Sequence, residues 1–87
     1  MRNKRFYTAI TDPLDLRELF ENKLRAHGLQ ILGFMEYQFE PQGYTAIWLL
    51  AESHLAIHTF PEQGLSYVEL SFCNEEKFKA FMETLAV

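Results

Sequence analysis

The run Tyr44-Thr45-Ala46-Ile47-Trp48-Leu49-Leu50-Ala51, followed by Glu52-Ser53-His54-Leu55-Ala56-Ile57-His58-Thr59-Phe60-Pro61-Glu62, decides the fold. The first half is apolar at nearly every position, which predicts a central strand covered on both faces. The second half continues extended, and Pro61-Glu62-Gln63-Gly64 then turns the chain. Downstream, Leu65 to Cys73 alternates, with Leu65, Tyr67, Glu69, Ser71 and Cys73 on one face and Ser66, Val68, Leu70 and Phe72 on the other. Upstream, Leu29 to Glu40 reads as another strand, ended by the turn signal Pro41-Gln42-Gly43. Short turns between these strands predict antiparallel pairing.

Two helices flank the strands. Arg5 to Ile10 (RFYTAI) reads as a first strand, and Asp12-Pro13 opens a helix, with Asp12 as N-cap and Pro13 at the first helical position. Leu14, Leu16, Leu19, Phe20 and Leu24 recur at helical spacing, and His27-Gly28 ends the helix. Asn74 is the expected cap of a last helix, whose apolar face carries Phe78, Phe81, Met82 and Leu85. The prediction is an α+β, two-layer sandwich: a mainly antiparallel sheet with two helices on one face.

At 87 residues the chain reads as a single domain, 1–87, small enough to gain from a partner subunit. A net charge of −4 argues against nucleic acid as the main partner. No apolar run approaches the ~20 residues of a membrane span. One cysteine excludes an intramolecular disulfide and fits a reducing compartment, so a cytoplasmic location is expected.

The Glu52–Glu62 run carries an acid, a hydroxyl and two imidazoles inside what reads as a strand. His54 and His58 on a strand lie ~13 Å apart, too far to share a metal ion, so no metal site is expected. Ser53, His58 and Glu62 are the residue types of a hydrolase triad. Yet no Gly-x-Ser-x-Gly elbow exists, and strand alternation puts Ser53 and His58 on opposite faces. Read from types and spacing alone, Ser53 and His54 are polar residues on a solvated face, His58 is a hydrogen-bonded core histidine, and Cys73 is a small buried hydrophobe.

The pattern resembles the bacterial and archaeal S-adenosylmethionine decarboxylase proenzymes, small pyruvoyl-dependent enzymes. The residues carrying the resemblance are Phe39-Glu40-Pro41-Gln42-Gly43-Tyr44-Thr45-Ala46, Leu50-Ala51-Glu52-Ser53-His54-Leu55, Ile57-His58-Thr59, Pro61-Glu62 and Cys73. The resemblance implies self-cleavage between 52 and 53, giving a beta chain 1–52 and an alpha chain 53–87. The Ser53 hydroxyl would attack the Glu52 carbonyl, and the resulting ester would eliminate to leave a pyruvoyl group at position 53. That group, the implied covalent cofactor, forms a Schiff base with the amino group of S-adenosylmethionine and accepts the electrons left by carbon dioxide. The product is the aminopropyl donor for spermidine biosynthesis.

By the same resemblance, His58 assists processing, Thr45 supports it, and Cys73 is the proton donor in decarboxylation. Phe39, Leu55, Phe60 and Glu62 bind substrate: aromatic rings around the adenine, an apolar wall, and an acid on the ribose hydroxyls. The implied assembly is a homodimer with shared active sites, so that His58 and Glu62 serve Ser53 of the partner subunit. Two alternatives stay open: a pyruvoyl decarboxylase acting on arginine or ornithine, and an unprocessed, non-catalytic relative. The chain departs from the family at Ala56, usually Ser or Thr; at Asn74, usually Gly; and at Phe60, more often Trp or Tyr. Family members also usually continue past the last helix, where this sequence ends at Val87.

Overall fold

The structure, a computed structural model, describes residues 2–85. Five strands form one sheet: β1 (Arg2–Thr8), β2 (Ile31–Gln38), β3 (Tyr44–Leu50), β4 (Ser53–Phe60) and β5 (Leu65–Phe72). Their order is β1-β5-β4-β3-β2, and every neighbouring pair is antiparallel. Two helices, α1 (Pro13–Ala26) and α2 (Glu75–Leu85), cover one face. The predicted two-layer α+β sandwich is the observed fold.

The helices form where capping and periodicity require them. Asp12 accepts a hydrogen bond from the backbone N–H of Asp15 at 3.0 Å, Pro13 occupies the first turn, and His27 caps the other end. Leu16, Phe20 and Leu24 then line one stripe of α1 and are fully buried. Each such burial contributes ~1.5–3 kcal/mol. Leu14, expected on that stripe, is 61% exposed, because two positions before Leu16 it lies ~200° round the helix, on the side away from the buried stripe. Asn74 Oδ1 accepts from the Lys77 N–H at 3.0 Å and caps α2. Phe78 and Phe81 close the core, both edge-on to Phe72. No helix among the described residues is long and apolar enough to cross a membrane.

Alternation sorts the sheet into two unlike faces. Tyr44, Ala46, Trp48, Leu50, Leu55, Ile57, Val68, Leu70 and Phe72 point to the helices and are buried. The other face is open. It carries Tyr7, Met35, Tyr37, Ile47 and Leu49, each 40% exposed or more. The expectation that the Tyr44–Ala51 strand is central and covered on both faces is therefore corrected. β4 is the central strand, β3 lies beside it, and only one face of β3 is covered within the chain. The apolar residues Ile47 and Leu49 look outward, so the continuous apolar run is not explained by burial inside one subunit.

Strand ends also move. β1 begins at Arg2 because its edge pairing with β5 runs from Arg2↔Phe72 to Thr8↔Ser66, and Ala9-Ile10 fall outside it. The extended reading through Ala51-Glu52-Ser53 breaks into a two-residue turn, with Leu50 pairing to Ser53 across β3 and β4. Tight hairpins need positive φ and favour Asn-Gly or Asp-Gly. Here the position falls on Glu52, at φ 57°, the only non-glycine residue with positive φ among those described. For a residue with a Cβ that conformation costs ~1–2 kcal/mol.

Candidate active site

The Ala51-Glu52 turn delivers the Glu52-Ser53 peptide to the end of β5, where the chain leaves the sheet at Cys73. Two hydrogen bonds tie the pieces together. The Cys73 N–H donates to Ser53 Oγ at 3.2 Å, and the Cys73 thiol donates to the carbonyl oxygen of Glu52 at 2.8 Å. Glu52, Ser53 and Cys73 line a cleft of about 230 Å3 together with Gly28, Gln30, Asn74 and Lys77. A larger, shallow depression of about 720 Å3 between β1 and α2, lined by Lys4, Glu75 and Met82, carries none of these residues.

Chemically this is an amide with its acceptor already engaged. A hydrogen bond to the Glu52 carbonyl oxygen stabilises negative charge that develops there on nucleophilic attack. The neighbouring hydroxyl is held by a donor to its oxygen, which leaves its own proton free to be removed. The strained Glu52 backbone raises the ground state of the bond under attack. The residues thus fit the formation of a pyruvoyl group from Ser53.

His58 and Thr45 form a second cluster, apart from the first. They face each other across β3 and β4, and Thr45 Oγ1 lies 2.9 Å from His58 Nδ1. They lie on the open face; Ser53 shares the parity of Leu55 and Ile57, which point to the helices. Five residues of strand separate Ser53 from His58, ~16 Å along the sheet. Within one chain the two clusters do not meet. The open-face position also replaces the reading of His58 as a core histidine: its ring is half-buried and its hydrogen bond goes to a side chain on the surface of the sheet. Cys73 is exposed rather than a buried hydrophobe.

The other expected positions scatter around these clusters. Phe39 and Phe60 are 46% and 38% exposed, Phe39 edge-on to Tyr37 at 4.8 Å. Glu62 lies exposed in the 3-10 turn Pro61–Gln63, closed by Gly64 at φ 67°. Leu55 is 0% exposed and packs in the core, so its side chain supports the strand from beneath.

Sequence reasoning missed a row of residues. Tyr7, Tyr67, His58, Thr45 and Tyr37 stand in register across all five strands on the open face. Tyr67 stacks on His58 with ring centres 6.2 Å apart and planes at 24°, and Tyr7 meets Tyr67 at 5.6 Å. The alternation of Leu65 to Cys73 already put Tyr67 on the Cys73 face; the pairing register needed to set it beside His58 is not in the local pattern. A buttress on the helix side was also missed. Tyr44 donates to Glu36 Oε1 at 2.6 Å, and Arg17 donates to Glu36 Oε2 at 3.1 Å while lying over the Phe34 ring. Burial, together with the Glu36 carboxylate beside it, pushes the Tyr44 hydroxyl well above its ordinary value. The Tyr44 N–H donates to Thr59 Oγ1 at 2.9 Å, which fixes β3 against β4 next to the Thr45–His58 pair.

A one-sided antiparallel α+β sandwich with a Glu-Ser turn held by a cysteine defines a class of protein. The family model described as S-adenosylmethionine decarboxylase matches residues 6–87, and the chain belongs to that family. It is 44% identical over 61 residues to a protein of Aquifex aeolicus named S-adenosylmethionine decarboxylase proenzyme, covering 70% of this chain and 45% of that one. A proenzyme of the same name from Persephonella marina is 41% identical over 75 residues, covering 84% and 56%. The crystal structure of the Aquifex aeolicus adenosylmethionine decarboxylase superposes with a TM-score of 0.71 at 33% identity, covering 93% of this chain and 69% of that one. The chain spans about half the length of the relatives it matches.

Proposed function

We propose that this chain cleaves itself between Glu52 and Ser53 and that the product, as part of a homodimer, decarboxylates S-adenosylmethionine. The observation that carries the reading is the double contact of Cys73, thiol to the Glu52 carbonyl oxygen and N–H to Ser53 Oγ, around a left-handed Glu52. Membership of the S-adenosylmethionine decarboxylase family supports the substrate, and the product in this reading is an aminopropyl donor for spermidine biosynthesis.

The cleavage balances as follows. Ser53 Oγ bonds to the Glu52 carbonyl carbon, the Glu52–Ser53 C–N bond breaks, and the amine of Ser53 is freed as an ester forms. Removal of the Ser53 α-proton breaks the ester Cβ–O bond and releases Glu52 as a carboxylate. The dehydroalanine left at position 53 takes up water and loses ammonia. Cys73 stabilises the charge on the Glu52 oxygen in the first step. His58 of the partner subunit, its Nδ1 engaged by Thr45 of that same subunit, removes the α-proton with its other nitrogen. The products are the chains 1–52 and 53–87.

A pyruvoyl group at position 53 supplies an electron sink for loss of carbon dioxide. The chain's own residues then bind and protonate. Phe39 and Phe60 offer half-exposed rings to a flat base, and Glu62 offers a carboxylate to ribose hydroxyls. With Glu52 gone as an acceptor, the Cys73 thiol is free to give its proton to the substrate carbon.

The dimer is supported by the open face. Met35, Tyr37, Ile47 and Leu49 form an apolar surface on the sheet face that no described element covers, and a second copy is the occupant that makes both clusters useful. Face-to-face association sets the Thr45–His58 pair of one subunit against the partner's sheet, at whose end the Ala51-Glu52 turn, outside the strand alternation, presents the Glu52-Ser53 peptide.

Intact mass of the purified protein tests the cleavage: two chains, with position 53 lacking its amine, are expected, and a single uncut species after long incubation would end the proposal. Release of labelled carbon dioxide from S-adenosylmethionine, and not from arginine or ornithine, tests the substrate.

A further inference from the structure

The cleavage just proposed creates a group for which the proenzyme has no need, a terminal carboxylate on Glu52. Resting on that reading, we propose that Lys77 and its cleft form the receiving site for this new chain end. Lys77 lies in the first turn of α2, and its ammonium donates to the Gly28 carbonyl oxygen at 3.0 Å. That contact spans from α2 to the loop after α1 and holds the cation over the cleft that Glu52 and Ser53 also line. Three donors sit on an ammonium, so holding Gly28 does not exhaust it.

Two features make the carboxylate the fitting occupant. Glu52 sits at φ 57° in a hairpin turn that the Glu52–Ser53 bond closes, Leu50 pairing with Ser53. Once that peptide bond is cut, the hairpin no longer imposes the conformation, and the chain end can relax toward the β or α region. The end also gains a full negative charge while its former carbonyl hydrogen bond is to an S–H group, a weak donor. An ammonium on the wall of the same cleft is the stronger partner for a carboxylate. Moving to Lys77 takes the carboxylate off Cys73 and clears the thiol for substrate. The receiving site therefore both anchors the 1–52 chain to the 53–87 chain and opens the site that cleavage has made.

The test compares four full-length proteins: the self-processed protein, its Lys77→Gln variant, uncleavable Ser53→Ala, and Ser53→Ala with Lys77→Gln. Glutamine can still donate to Gly28 but carries no charge. Intact mass on each sample first establishes whether cleavage occurred; an uncut parent refutes the cleavage reading, and this proposal with it. With cleavage present, Lys77→Gln is expected to lower the thermal midpoint of the processed protein by about 3–6 °C more than that of the Ser53→Ala pair. The excess shrinks at high salt. An equal shift in both pairs overturns the receiving site and leaves self-cleavage intact. If Lys77→Gln does not fold, amine labelling followed by mass spectrometry decides: Lys77 reacts more slowly in the processed protein than in Ser53→Ala, and equal or faster reaction overturns the proposal.

Discussion

The Cys73 thiol lies 2.8 Å from the carbonyl oxygen of Glu52. A proton donor for decarboxylation would have no reason to engage the peptide bond before it is cut. The same thiol thus serves both halves of the proposed reaction, first as a hydrogen-bond donor to the bond that breaks and later as an acid. Cys73→Ala is expected to slow self-cleavage by about 100-fold, the usual cost of one oxyanion donor. The measurement is the rate of appearance of the two chains by mass spectrometry, and an unchanged rate would remove Cys73 from the cleavage step.

Glu52 stores strain that glycine would not feel. In the uncleavable Ser53→Ala background, Glu52→Gly is expected to stabilise the protein by up to about 1 kcal/mol, since glycine occupies positive φ without a Cβ clash. Urea unfolding reads the change. A clear loss of stability would show that the Glu52 side chain contributes more than its backbone costs.

Shared sites predict complementation. His58→Ala chains alone should stall after the ester forms and be cut by hydroxylamine. Co-expressed with Ser53→Ala chains, the His58→Ala chains should process, because the intact histidine arrives from the partner. Processing that stays blocked in the mixed dimer would mean that each chain works alone.

The open face predicts a dimer sensitive to charge. Ile47→Glu and Leu49→Glu together should give a monomer by sedimentation, since two carboxylates would be desolvated in an apolar interface. Neither side chain belongs to the core, so the far-UV spectrum should be retained. A dimer of unchanged affinity would place the interface elsewhere.

Tyr44 sets an alkaline limit. Its hydroxyl is protonated in the folded state to higher pH than in the unfolded chain, whose value is 10.0. Below about pH 10 both states hold the proton and the contribution is complete. As pH rises further, the unfolded state loses the proton first, so stability falls. Tyr44→Phe should flatten this fall in unfolding measurements between pH 9 and 11, and an identical slope in both proteins would remove Tyr44 as its source.

Much of the architecture was legible because it rests on local rules. Asp12-Pro13, His27-Gly28 and Asn74 mark helix ends through hydrogen bonds made within one turn, and the two faces of Leu65 to Phe72 follow from period-two alternation. The turn at Ala51-Glu52 was not legible. It lacks the Asn-Gly or Asp-Gly signal because the position holds a residue under strain, and local preference argues against it. The apolar run of Tyr44 to Ala51 misled for a related reason: Ile47 and Leu49 are apolar toward the open face, and a single chain gives no measure of that.

By itself the sequence determined the two helices with their caps, the order of strands and helices, the two faces of β5 and, through the resemblance carried by the Glu-Ser-His motif, the chemistry to look for. Only the tertiary structure decided which residues meet. Cys73 lies twenty-one positions beyond Glu52, and its thiol reaches that carbonyl because β4 and β5 pair in one register. Tyr67 stacks on His58 through the same pairing, while Ser53 and His58, close in sequence, are held apart by the stiffness and alternation of a strand. Proximity along the chain is set by covalent bonds, whereas proximity in the site is set by register, which depends on burying one whole face of the sheet at once.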